Sequence, residues 1–123
     1  MGEYKRLKVW QKAHKLACVV YEATRSLSQR DQFVLGDQLR RAALSVPTNI
    51  AEGCGRNSDG DLHRFVSIAL GSANELRYLL EFAIDVGVLA PPVAGPLVEA
   101  SDEARRMLAA LSAAAGQGRR PTK

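Results

Sequence analysis

Two side chains stand at a spacing that permits metal ligation. His14 and Cys18, four residues apart, fall on one side of a helix. A zinc site takes three or four ligands, and no second pair at ligand spacing exists. Cys54 and His63 join only through long-range folding. Nucleophilic catalysis is as poorly supplied. Serines are many, but none sits in a G-x-S-x-G turn, and only two histidines are available as base. Glu52, Glu75 and Glu81 are candidates for a carboxylate pair across helices, yet the Glu-x-x-His pattern of di-metal bundles is missing. Salt bridges to Arg40, Arg41 or Arg77 are the plainer expectation. Neither a G-x-x-x-x-G-K-[ST] loop nor a G-x-G-x-x-G turn is present to cradle a nucleotide. The residues predict a non-enzyme with no metal and no cofactor.

Positive charge is better organised. The chain carries a formal net charge of +4 and a pI near 9.4, which suits a phosphate-bearing partner. Lys5, Lys8, Lys12 and Lys15 step by three, four and three, placing them on one face of an extended first helix. Arg56 and Arg64 flank the second turn, and Arg119, Arg120 and Lys123 end the chain. Such charge binds phosphates by counterion release without reading bases. No RNA-recognition aromatic motif or helix-turn-helix signal accompanies it. Nonspecific RNA or DNA binding is therefore one expectation. A purely structural or regulatory protein-interaction bundle, kept soluble by its charge, is the other.

The elements that position these residues are all helices. With 123 residues, few aromatics and abundant alanine and leucine, the composition is that of one helical domain. No apolar run approaches the ~20 residues of a membrane span. The N-terminus lacks an apolar leader, so the expected compartment is the cytoplasm. Cys18 and Cys54 read as reduced core residues.

Trp10, Ala13, Ala17, Val20, Thr24 and Leu27 form the stripe of a first helix over about 7–27. Ser28 or Asp31 then offers a cap. Leu35, Leu39, Ala42, Val46 and Ile50 mark a second helix over about 32–52, which Gly53 and Gly55 should end in the left-handed conformation. Ser58 with Asp61 resembles a capping box for the third, whose seam is Phe65, Ala69, Ser72, Leu76, Leu79, Ala83 and Val86, with Gly87 as the stop. Leu97, Ala100, Ala104, Met107, Leu111 and Ala114 give the fourth stripe. Pro96 leaves the start of that helix open by a turn. Short connections predict an up-down-up-down antiparallel four-helix bundle over 1–115, with a disordered basic tail at 116–123.

One stretch resists this pattern: "LRRAALSVPTNIAEG", residues 39–53, puts Pro47 in mid-helix among Ser45, Thr48, Asn49 and Glu52. Proline removes one N–H and crowds the carbonyl four residues back, that of Ala43. The helix should bend at Pro47, and short polar side chains should satisfy the groups the bend frees. Arg41, Ser45, Thr48 and Glu52 follow at four, three and four, so Arg41 is expected against Glu52, with Arg40 structural first. Gly71 and Ser72 are expected to let the bent helix approach closely.

The same stretch carries a resemblance. "FVLGDQLRRAALSVPTNIAEGCGR" followed by "FVSIALGSANEL" resembles the four-helix-bundle family encoded in intervening sequences of bacterial 23S ribosomal RNA genes. The matching positions include Phe33, Gln38, Arg40, Arg41, Ser45, Asn49, Glu52, Gly53, Gly71, Ser72 and Glu75. "VWQKAHKLACVVYEAT" also resembles the family's first helix, so the likeness covers about residues 7–89. The fourth helix departs, with "APPVAGP" where the family has a charged, proline-free segment. The resemblance implies a homopentameric assembly. It extends to the accessory variability protein of diversity-generating retroelements, a basic pentamer that works beside a reverse transcriptase and RNA. It therefore also implies RNA and a reverse transcriptase or other enzyme as partners.

Overall fold

The computed structural model describes residues 3–116, so the 116–123 tail lies outside the described residues apart from Gly116. Among the described residues there is no strand. After a 3₁₀ turn at Glu3–Arg6 come α1 (Lys8–Thr24), a short α2 (Gln29–Asp31), a π-helical turn (Gln32–Gly36), α3 (Asp37–Cys54), α4 (Asp59–Asp85) and α5 (Pro91–Gly116). The four long helices match the four stripes. Each packs against its neighbour in sequence, and α1 also packs against α5.

Local chemistry sets the ends. Ser28 accepts from the Asp31 N–H at 3.1 Å, and Ser58 accepts from the Asp61 N–H at 3.0 Å, so both serines cap as expected. Gly87 closes α4 with φ +77. Gly55, by contrast, ends α3 with an ordinary φ of −85, so no left-handed glycine is needed there. The proline-rich segment does not delay the last helix. Pro91 and Pro92 open α5, where a missing N–H costs nothing, and Pro96 lies inside it.

The core has two adjoining clusters. One gathers Leu16, Val20, Leu35, Leu39, Leu76, Leu80 and Leu97, and the other Leu7, Val9, Val46, Ile50, Leu62, Val66 and Leu108. Complete burial of side chains such as Leu39, Ile50, Leu80 and Leu108 contributes ~1.5–3 kcal/mol each. The expected α4 seam is met in part. Ala69, Leu76, Leu79 and Ala83 are buried, with Leu62, Val66, Ala73 and Leu80 beside them, whereas Phe65 and Ser72 are half-buried and Val86 is exposed. The same holds for α5, which buries Leu97, Ala104 and Leu108 but only half-buries Ala100, Met107, Leu111 and Ala114. Neither cysteine is in a disulfide; Cys18 is exposed, whereas Cys54 is half-buried and packs against the second core cluster.

Candidate functional site

Three places gather the residues that the sequence singles out. The first is a basic end of the bundle. The 3₁₀ turn packs on α1 and α3, and Leu7, Ile50 and Leu62 share one cluster, so the start of α1, the end of α3 and the start of α4 meet. Lys5 and Lys8 are exposed there, with Arg56 and Arg64 across from them. Both guanidinium groups lie over the Phe65 ring, at 4.9 Å and 4.3 Å from its centroid. Phe65 was not expected in this role; its spacing from Arg64 is sequential, and that from Arg56 exists only after α3 turns into α4.

The four lysines do not form one continuous face. The helix begins at Lys8, and Lys5 belongs to the separate 3₁₀ turn, where its carbonyl accepts from Gln11 Nε2 at 2.8 Å. Lys8, Lys12 and Lys15 keep their register on α1, and Lys12 faces Glu103 of α5 at 3.4 Å. Arg56 pairs with Glu52 at 2.8 Å, and Arg64 with Asp61 at 3.7 Å. No acid lies in the first turn of α1, so its cations face the positive end of the helix dipole.

The second place is the proline motif. α3 runs through Pro47, which is buried. The Ser45 and Ser72 hydroxyls meet at 2.7 Å, and Asn49 Nδ2 donates to the Ser45 carbonyl at 2.8 Å and the Ser45 hydroxyl at 3.0 Å. This is a half-buried polar layer joining α3 to α4. It sits close to where the two core clusters divide, with Ser45 between Ala43 and Val46 on α3 and Ser72 just before Ala73 on α4. Asn49 does not serve the Ala43 carbonyl that proline leaves without a donor. Arg41 and Glu52 do not meet either. Arg41 is exposed with no ion pair among the described residues, and Glu52 turns to Arg56, four residues away. The close approach between α3 and α4 falls at Gly53, where a Cβ would lie 3.0 Å from Phe65 Cβ and 3.2 Å from Leu62 Cδ1. Gly71 is not part of it. That glycine is exposed, with nothing within 4 Å of a Cβ placed on it.

The third place surrounds Arg40. Its guanidinium donates to Gln32 Oε1 at 2.7 Å, to Thr24 Oγ1 at 3.0 Å and to Asp37 at 2.7 Å, and lies 5.9 Å from the Tyr21 ring. Gln32 Nε2 in turn donates to the Thr24 carbonyl at 2.8 Å and the Arg25 carbonyl at 3.1 Å. Those carbonyls end α1 and have no partner within it. Arg40 thus ties the end of α1 to the π-helical turn and the start of α3 through Thr24, Gln32 and Asp37.

His14 Nε2 and Cys18 Sγ lie 3.7 Å apart on the surface of α1, and among the described residues no three potential ligands converge. Arg77, Arg105 and Arg106 gather on Asp102, with Arg77 Nη1 at 2.7 Å tying α4 to α5. The Arg105 hydrogen bond lowers the Asp102 pKa; desolvation opposes it, and the charges of Arg105, Arg106 and Arg77 add to it. No described helix is long and apolar enough to cross a membrane.

Comparison with known proteins now places the fold. The sequence profile described as "23S rRNA-intervening sequence protein" matches residues 5–110. The chain belongs to that family. Its fold is similar to a crystal structure of a protein of unknown function from the S23 ribosomal protein family of Bacteroides thetaiotaomicron, at 25% identity and a TM-score of 0.77. That superposition covers 85% of this chain and 97% of the other. Among curated proteins none matches. Within this 23S rRNA-intervening sequence protein, the matched span includes the basic end, the proline motif and the Arg40 cluster alike.

Proposed function

We propose that this 23S rRNA-intervening sequence protein is a cytoplasmic, non-enzymatic scaffold that assembles as a homo-oligomer, a pentamer by family resemblance, and holds RNA or DNA without sequence preference. Each protomer is an up-down-up-down antiparallel bundle with its second long helix bent at Pro47. A reverse transcriptase or another enzyme is the partner class that the same resemblance suggests.

One observation supports the nucleic-acid reading above the rest. Lys5, Lys8, Arg56 and Arg64 come from three segments to one end, where the α1 dipole disfavours cations. A polyanion relieves that repulsion. Repetition of this end around an oligomer lets weak single contacts add through effective concentration. The pairing of Lys12, Arg56 and Arg64 with acids favours the second reading, a protein-interaction bundle with no nucleic-acid role.

Filter binding of RNA and single-stranded DNA across a salt series separates the two. Affinity should fall steeply with salt, and Lys5, Lys8, Lys12 and Lys15 changed together to Gln should flatten the slope. An affinity indifferent to salt and to these substitutions leaves the interaction bundle. Light scattering should give a mass several times 13.3 kDa.

A further inference from the structure

Three aromatic rings form a row where the chain enters α1. The 3₁₀ turn Glu3–Arg6 folds back on the helix, held by Gln11 Nε2, which donates to the Lys5 carbonyl at 2.8 Å. That sets the Tyr4 ring edge-on to Trp10, with centroids 5.0 Å apart and planes at 64°. Trp10 in turn lies flat against His14, one helical turn later, 4.9 Å away and 8° from parallel. Trp10 is half-buried and packs against the second core cluster, whereas His14 is exposed. Trp10 covers one face of the imidazole, and Cys18 Sγ approaches its edge at Nε2. The other face is left to solvent. No motif in the sequence announces this row, since Tyr4 reaches Trp10 only once the turn has folded back.

The surroundings are cationic. Residues 4–21 contain no Asp or Glu, and Lys5, Arg6, Lys8, Lys12 and Lys15 fall among them. Lys5 and Arg6 share the turn with Tyr4, and Lys15 follows His14 directly. All five cations are exposed, and among the described residues only Lys12 has an ion pair. A flat ring open on one side, bordered by unpaired cations, is what an unpaired nucleobase and its phosphates require. A duplex can use only the cations, because its bases are stacked on one another. Charge alone would favour that duplex, whose phosphates are the denser. An acidic protein surface would likewise meet the charge and leave the ring idle.

We infer that the Tyr4–Trp10–His14 row is a base-stacking platform, by which the basic end holds nucleic acid as a single strand, with an unpaired base on His14 and phosphates on Lys5, Arg6 and Lys15. This rests on the nucleic-acid reading above and adds the form of the strand and the place of the base.

Trp10 is the only tryptophan of the chain, so its fluorescence reports on the platform directly. The test titrates an RNA of about 20 nucleotides, alone and annealed to its complement, onto the parent, His14→Leu and His14→Phe at one salt concentration. The parent should bind the single strand about fivefold or more tighter than the duplex, and only the single strand should change the Trp10 emission. Single-stranded DNA of the same sequence should behave alike, since the platform meets a base and not a sugar. His14→Leu keeps Trp10 covered but removes the flat ring. It should abolish the preference and the emission change while duplex binding and helicity stay as they are, and His14→Phe should retain both signals. A parent that binds both forms alike, or a His14→Leu variant that keeps the preference, overturns the platform and leaves charge-driven binding standing. Binding of neither form overturns both.

Discussion

The Arg40 cluster and the Ser45 layer lie within ten residues of each other on the second long segment, and they solve different problems. Around Arg40 a charge is held by Gln32, Thr24 and Asp37, and the reward is a finished C-terminus for α1. Around Ser45 the groups are neutral, and three short side chains join α3 to α4 between two apolar clusters. A half-buried charge is costly to strand, whereas a hydroxyl pair near the rim finds water when one partner is lost. The difference teaches that the conspicuous proline marks the gentler of the two sites.

Substitutions can test that ranking. Arg40→Met keeps length but strands Gln32 Oε1, while Thr24 Oγ1 keeps its bond to the Val20 carbonyl, and should lower stability by about 2–3 kcal/mol in urea unfolding. Gln32→Ala should reproduce about half of this by uncapping α1; a variant as stable as the parent would show that the carbonyls of Thr24 and Arg25 take water instead. Asn49→Ala, which removes donors from a carbonyl and a hydroxyl that keep other partners, should cost ~1 kcal/mol. Were Asn49→Ala the more damaging change, the comparison would be inverted.

The half-buried Asp102 cluster at the surface should give the smallest effect, and a pH-dependent one. Its carboxyl titrates below the usual carboxylate range in the folded protein, so its stabilising contribution is present above the unfolded pKa. That contribution is lost as pH falls through the lower folded value. Melting curves of parent and Asp102→Asn should therefore differ near neutrality and converge in acid below about pH 4. A gap that stays constant well below about pH 4 would assign the effect to packing rather than charge.

How much of this was legible follows from the range of each interaction. The stripes of α1 and α3 read correctly because Ala13, Val20, Leu39 and Ile50 have polar neighbours on their far sides. The α4 stripe read correctly at Ala69, Leu76, Leu79 and Ala83 but not at Phe65, Ser72 and Val86, because α4 is apolar on two sides and period alone cannot say where the inward ridge ends. Ser45 and Asn49, four apart, were readable as a pair; Ser72 as their partner needed the folded chain. Arg41 was matched to Glu52 across eleven positions, but Arg56, only four away on the same helical face, holds that carboxylate. Thr24 and Arg40 were visible singly, but their meeting with Gln32 carried no local signal, since those contacts cross a turn.

The π-helical turn at Gln32–Gly36 has its own consequence. It closes when the Asp37 N–H donates to the Gln32 carbonyl, five residues back, so this turn holds one residue more than an α-helix needs. Phe33 and Val34, the residues it turns out to solvent, are where the chain can shorten by one. With either deleted, α2 would run into α3 as ordinary helix, and Leu35 to Ile50 would keep their seats. The Asp37 N–H would then meet the Gln32 carbonyl four residues back, as in an α-helix, so Gln32 would stay at the end of α1. The extra residue at this corner therefore serves only the exposed surface, with the helix cap and the interior left untouched.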